Sequence, residues 1–422
     1  MARRRVEIVM HSANQMLTLQ GGPQRGRSLG QLGLIEDGAL AADDGVLVAV
    51  GQTREIRAQF AGRREEDASG RVVLPGFVDA HTHLVWAGDR AAEFEQRLAG
   101  ATYLELLAAG GGIRSTVRAT RAASVSELVR QARRRAKAML RHGTTTAEVK
   151  SGYGLDLESE LKILEAILRL QHGAGPDLCP TFLGAHAIPE EFDGQADAYA
   201  QTVATSMLPA VHAWWLSRAA GSRLPFVDIF CESGAFDLRQ TRLILEAAQA
   251  LGFSIKIHAD EFSALGGTRL AVEMRAISVD HLIHTSPEEV RLLGASATAA
   301  VLLPATPFGL WEPRQAPAQD LLEAGALVAL ASDLNPGTAW CESMPLVIAL
   351  ACRAYRWTPA MAIAASTING AAAIGWEDRV GSLEAGKQAD WVALEAADYR
   401  HLGYRFGGPL VAGVWKRGRR VR

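Results

Sequence analysis

Residues 75–90 read PGFVDAHTHLVWAGDR. The apolar run Phe77–Ala80 is a strand candidate, and two histidines, His81 and His83, stand at its end. On an extended chain, positions i and i+2 point to the same side. Two imidazoles at that spacing can grip one ion. H-x-H alone also arises by chance, so its weight depends on the surrounding chain.

Outward from this stretch, short β runs alternate with helical patterns, the mark of βα units around a parallel sheet. Eight strand candidates stand out: Phe77–Ala80, Thr144–Val149, Cys179–Ala185, Phe226–Cys231, Ser254–Ala259, Ile277–Leu282, Thr298–Leu303 and Leu327–Ser332. Several are continuous apolar runs, as buried parallel strands should be. A helix is expected from about Val125 to Arg141, opened by the capping box of Ser124 and Glu127 and closed at Gly143. On it, Leu128, Ala132, Ala136 and Met139 share one face, and Arg133–Arg135 read as solvated. Eight units over roughly 300 residues match a (β/α)8 barrel. A doubly wound open sheet is the competing fold, but no G-x-G-x-x-G loop follows a strand. Gly110-Gly111-Gly112 reads as a loop or helix end that can bring backbone near a ligand.

The two ends differ from the middle. Residues 5–70 and roughly 380–422 hold short β pieces separated by Gly and Asp, and we expect them to pair into one small β-sandwich. The expected organisation is residues 1–70 and 376–422 in that sandwich, with 71–375 in the barrel.

The composition excludes several classes. The chain has 422 residues, 48% hydrophobic and 21% charged, with 44 basic against 46 acidic side chains. It can bury a large core, and its near-zero charge argues against general binding to nucleic acid or anionic membranes. Cys179, Cys231, Cys341 and Cys352 show no C-x-x-C spacing, so neither a disulfide framework nor a thiolate zinc site is expected. No secretory signal or membrane-length apolar run is present, and a cytoplasmic location is expected.

In a barrel, working residues lie at the C-terminal strand ends. Reading those ends in order gives His81 and His83, Lys150 and Tyr153, His186, Cys231 and Glu232, then His258, Asp260 and Glu261, then His281, and Asp333 after the eighth. Five of the 11 histidines fall there. With His258 and Asp333, the H-x-H pair supplies three nitrogens and an oxygen, a set that suits zinc or iron with positions left for water. Glu261, His281 and Asp333 are the available proton-handling groups. His284 reads as a loop residue.

These residues carry a resemblance. PGFVDAHTHLVWAGDR resembles the opening strand of the amidohydrolase superfamily. LAAGGGIRSTVRATRAAS (107–124), AEVKSGYGL (147–155), FLGAHAIP (182–189), KIHADEFSALGG (256–267), VDHL (279–282) and ASDLNPGT (331–338) are similar to its imidazolonepropionase family. The resemblance implies a (β/α)8 barrel with a terminal β-sandwich and one divalent metal ion, Zn2+ or Fe2+/Fe3+. His81, His83, His258 and Asp333 are the implied ligands. The implied reaction opens the lactam C–N bond of 4-imidazolone-5-propanoate to N-formimidoyl-L-glutamate, with a metal-activated water. Arg90, Tyr153, His186, Glu261, Asn335, Gly337 and Thr338 would contact that substrate, with Tyr103 a further candidate. Arg90 matches the propanoate carboxylate bidentately. Asn335, Gly337 and Thr338 would present donors to the ring or product. Glu261 would move the proton, His281 would steady the oxyanion, and Asp333 could share the proton step.

Binuclear relatives use a carbamylated lysine on the fourth strand. Here Cys231-Glu232 ends that strand and Lys150 ends the second, so one ion is expected. Residues 304–317, PATPFGLWEPRQAP, depart from the family pattern and read as a Pro-rich loop. Residues 194–216 read as a helical excursion, with Trp214 and Trp215 in packing roles. A homodimer is expected, the commonest closed assembly. Two other readings compete: a different cyclic-amide hydrolase or heterocycle aminohydrolase, which would not need Arg90 and Tyr153, and a non-catalytic scaffold. The complete ligand set counts against the scaffold.

Overall fold

A computed structural model describes residues 3–100, 110–171, 173 and 175–422. Eight parallel strands follow one another in chain order. They are β6 (Phe77–Asp79), β7 (Thr144–Lys150), β8 (Asp177–Ala185), β9 (Phe226–Cys231), β10 (Lys256–Ala259), β11 (Ser278–His281), β12 (Ala299–Leu302) and β13 (Val328–Leu330). The ends meet through a parallel bridge between Thr82 and Leu334. His83 N donates to the Leu334 carbonyl at 2.8 Å, and Asp333 N to the His81 carbonyl at 3.1 Å. That closure makes a barrel and excludes the open doubly wound sheet.

The chain ends build a second, mixed sheet of eight strands: β1 (Arg4–Leu17), β2 (Leu34–Asp43), β3 (Val46–Gln52), β4 (Phe60–Asp67), β5 (Val72–Pro75), β14 (Trp391–Leu394), β15 (Val411–Lys416) and β16 (Arg419–Arg420). Asp44 and Gly45, both at positive φ, turn β2 into β3, the arrangement that suits the twist of a two-residue hairpin. β1 runs through both arms: its N-terminal part pairs with β4 and its C-terminal part with β5. One core joins Ile8, Met10 and Leu40 from one arm to Val73, Trp391 and Trp415 from the other. Gly76 joins β5 to β6, and a side chain there would collide with Thr145.

The helix Val125–Arg141 forms with half of its expected capping box: Ser124 accepts from Glu127 N, but the Glu127 carboxylate turns to Arg130 and Gln131. A second expectation on it fails. Arg135 is buried, not solvated. It lies on the same helical face as Leu128, Ala132 and Met139, and its guanidinium donates to the carbonyls of Leu84 and Trp86. The Pro-rich segment also differs from a plain loop, forming a short helix, Ala305–Leu310, that ends on Trp311 at φ 56°. Residues 196–218 are helical as read, passing through a π turn at Val203–Met207. Trp215 is buried and Trp214 packs on the core.

Candidate active site

The C-terminal strand ends converge on one buried cluster of imidazoles. His81 and His83 follow β6, His186 follows β8, His258 lies in β10 and His281 ends β11. Ligand atoms of His81, His83 and His258 lie within 4.8 Å of one another, and so do those of His81, His281 and Asp333. His81 belongs to both triads. Asp333 Oδ1 is 3.4 Å from His81 Nε2 and 3.6 Å from His83 Nε2. Its other oxygen accepts from Thr306 at 2.6 Å. Asp333 and His281 hold φ values of 52° and 82°, a strained conformation for non-glycine residues that concentrates at functional sites.

Several nitrogens here are buried without a hydrogen-bond partner among the described residues: His81 Nε2, His83 Nδ1, His258 Nε2 and His281 Nδ1. Buried polar atoms normally find partners. Converging unpartnered imidazoles beside a carboxylate fit a divalent cation. Burial, followed by neighbouring positive groups, holds His81, His83 and His281 well below the ordinary histidine range. His186 is pushed down to about 3, chiefly by burial. The neutral imidazole is the form that binds metal.

Glu261 approaches His281, with 3.6 Å between Oε2 and Nε2. Burial, then Asp333 and Glu232, raises Glu261 well above the usual carboxylate range. Burial also pushes Asp333 up to about 6. Glu261, a buried carboxyl with raised affinity for a proton beside the imidazoles, can hold and pass one. Glu232, at the end of β9, accepts from the Phe262 and Ser263 amides and so braces the loop that carries Glu261.

His186 stacks on His83 with ring centres 4.9 Å apart, and its Nδ1 lies 2.9 Å from the Gly152 carbonyl. A carbonyl only accepts, so Nδ1 donates and Nε2 is left as an acceptor. Tyr153 is buried against both rings. Arg90 pairs through Nε with Glu93 at 2.8 Å, and its guanidinium lies against Gly337. Asn335 closes its own turn: Oδ1 accepts from Gly337 N and Thr338 N at 2.8 Å, and Nδ2 donates to the Asp333 carbonyl. Those amides are therefore engaged in shaping the turn, not presented as free donors. Asp260 is not among the clustered ligand atoms; its Oδ2 accepts from Thr268 and Thr285. Gly112 caps the helix Ile113–Ala122 and donates to Glu93. Tyr103 lies outside the described residues.

Asp228 and Asp280, absent from the strand-end set, stand behind His258 and His81 at 3.0 and 2.7 Å. A readable signal existed: charges inside the apolar strands FVDIFC and SVDH.

A barrel with these groups at its C-terminal mouth defines a class of metal-dependent hydrolases. The chain belongs to the amidohydrolase family, whose model matches residues 72–421. It is 52% identical over 420 residues to the imidazolonepropionase of Herpetosiphon aurantiacus, and 50% identical over 419 residues to that of Chloroflexus aggregans. Each alignment covers 98% of both chains. Among solved structures, an E. coli guanine deaminase superposes with a TM-score of 0.73 at 15% identity over 98% of each chain. An adenosine deaminase from Xanthomonas campestris with bound zinc gives 0.68 at 18% identity, over 99% of this chain and 93% of that one. At such identities these two show the shared fold. No described helix is long and apolar enough to cross a membrane.

Proposed function

We propose that this enzyme hydrolyses the lactam C–N bond of 4-imidazolone-5-propanoate, giving N-formimidoyl-L-glutamate in histidine degradation. The observation that carries the reading is the pairing of Glu261 with His281 at 3.6 Å beside the His81–His83–His258 cluster, in a chain about half identical to imidazolonepropionases over 98% of its length.

His81, His83, His258 and Asp333 would hold one ion, and three imidazoles with one carboxylate fit Zn2+ and Fe2+ alike. A bound divalent ion acidifies water and polarises a carbonyl oxygen. His281 also reaches Asp333 and His81, and its role here is to donate to the oxyanion that develops on the ring carbonyl. Glu261 takes the proton of the attacking water and passes it to the departing ring nitrogen, with Asp333 able to share that duty. Arg90 binds the propanoate carboxylate. Tyr153 and His186 wall the ring, and the Asn335–Thr338 turn fixes the surface against which Arg90 lies. The positive amine of Lys150, set among Glu148, Asp228 and Asp280, favours ammonium over an anionic carbamate and supports a single ion. The enzyme is expected in the cytoplasm as a homodimer.

The test is an assay with imidazolonepropanoate on protein loaded with zinc or iron. Ring opening is expected. Failure to open the ring, with turnover of another cyclic amide or an amino-heterocycle, would reassign the substrate. Absence of metal binding would remove the hydrolase mechanism.

A further inference from the structure

Beneath the histidines lies a layer of buried charge that moves no proton in the proposed reaction. Lys150 Nζ is 2.7 Å from both Glu148 Oε1 and Asp228 Oδ2, and 3.5 Å from Asp280 Oδ2. Lys256 Nζ is 3.3 Å from Glu148 Oε1 and donates to the Ala80 carbonyl at 3.1 Å. All five side chains are fully buried. Three carboxylates this close would repel one another without the ammonium groups between them.

Two of the carboxylates face the site. Asp280 Oδ2 accepts from His81 Nδ1 at 2.7 Å. Asp228 Oδ2 lies 3.0 Å from His258 Nδ1, in less ideal alignment. A carboxylate accepts, so His81 carries its proton on Nδ1 and leaves Nε2 with a free lone pair, while Asp228 stands behind His258 at ion-pair distance. The two rings stand edge to face with centres 4.5 Å apart. Serine and backbone groups hold the far oxygens: Ser278 donates to Asp280 Oδ1 and Ile229 N to Asp228 Oδ1. Lys150 is the one cation within 3.5 Å of both Asp228 and Asp280 among the described residues.

We propose that Lys150 is a positioning residue for the metal site, tying Asp228 and Asp280 together and so fixing the placement of the His258 and His81 rings and the tautomer of His81. The proposal rests on the reading of those histidines as ligands. Its sign is distinctive. Removing a positive charge near a cation site should, by Coulomb's law alone, tighten cation binding. Releasing the carboxylates behind the ligands should weaken it, by about 10- to 100-fold.

The experiment measures zinc affinity of the full-length chain by competition with a chromophoric chelator, with folding followed by circular dichroism. Lys150→Met and Asp228→Asn are each expected to bind zinc about 10- to 100-fold more weakly. The double variant should bind no worse than the weaker single variant, because both cut one link. A folded Lys150→Met that binds zinc as the wild type does, or more tightly, overturns the proposal. So do fully additive losses. If Lys150→Met does not fold, Asp228→Asn cuts the same link from its other end, and unchanged affinity there overturns it. A wild-type chain that binds no zinc would overturn the ligand reading instead.

Discussion

The guanidinium carbon of Arg135 lies 3.3 Å from the centre of the Trp86 ring. The same group donates to the carbonyls of Leu84 at 3.0 Å and Trp86 at 3.1 Å. It thereby pins the segment that leads from His83 to Arg90. Arg135→Met should cost about 2–4 kcal/mol of stability, from lost buried hydrogen bonds and the cation–π contact. Urea unfolding measures that loss, and kinetics should show a raised KM as Arg90 loses its support. Wild-type stability and KM together would show that the clamp carries nothing.

Gly337 has no side chain where the Arg90 guanidinium lies. Gly337→Ala should therefore push Arg90 aside. If Arg90 binds the substrate carboxylate, KM rises about tenfold or more, equivalent to about 1.4 kcal/mol, with kcat changed little. Steady-state kinetics on the folded variant decides it. An equal fall in kcat would place Arg90 in the chemical step.

Glu261 is buried and holds its proton more tightly than an ordinary glutamate, through burial and the nearby Asp333 and Glu232. Glu261→Gln keeps the shape and removes proton transfer. We expect kcat to fall by about 10²–10⁴-fold with metal content unchanged by elemental analysis. Normal turnover would take Glu261 out of the mechanism.

Lys416 of β15 reaches across from the terminal sheet to the barrel, 2.9 Å from Asp177 Oδ2 and from the Thr145 carbonyl, and it also pairs with Asp390. Lys416→Met leaves two carboxylates without that partner and should cost about 3–5 kcal/mol. Burial alone would raise Asp177, yet Lys416, Gln388 and Arg417 outweigh it and hold the carboxyl below its usual value. A carboxyl lowered on folding adds stability above its unfolded pKa of about 3.9, and loses it as pH falls through the folded value. Thermal unfolding from pH 6 to 3 should show a steep loss below about pH 4 in the wild type. The variant, less stable throughout, should show a shallower one. Equal slopes would exclude Asp177 as the group responsible.

Much of the barrel is legible because buried parallel strands leave continuous apolar runs, and because H-x-H sits at the end of the first. His81, His83, His186, His258 and His281 do come together, as strand-end placement implies. Local pattern fails where tertiary context reverses a charge's ordinary habitat. Arg135 looks solvated beside Arg133 and Arg134, yet its helical position is that of Leu128, Ala132 and Met139. Asp228, Asp280 and Lys256 are interior charges whose partners lie on other strands, so no single window contains the pairing that pays for their burial. The Asn335 turn is likewise invisible from composition, since its amides turn inward to the asparagine's own side chain.

The seam between Thr82 and Leu334 has a consequence for synthesis. The first strand emerges early, but its hydrogen-bonding edge is completed only when residues 333 and 334 have left the ribosome. Until then His81 and His83 sit on an unsealed edge, and the proposed fourth ligand cannot reach them. Metal capture in the finished geometry is therefore a late event in the life of the chain, coupled to sealing of the barrel. A truncation before residue 333 would leave an open sheet edge prone to association with other chains, not a smaller enzyme.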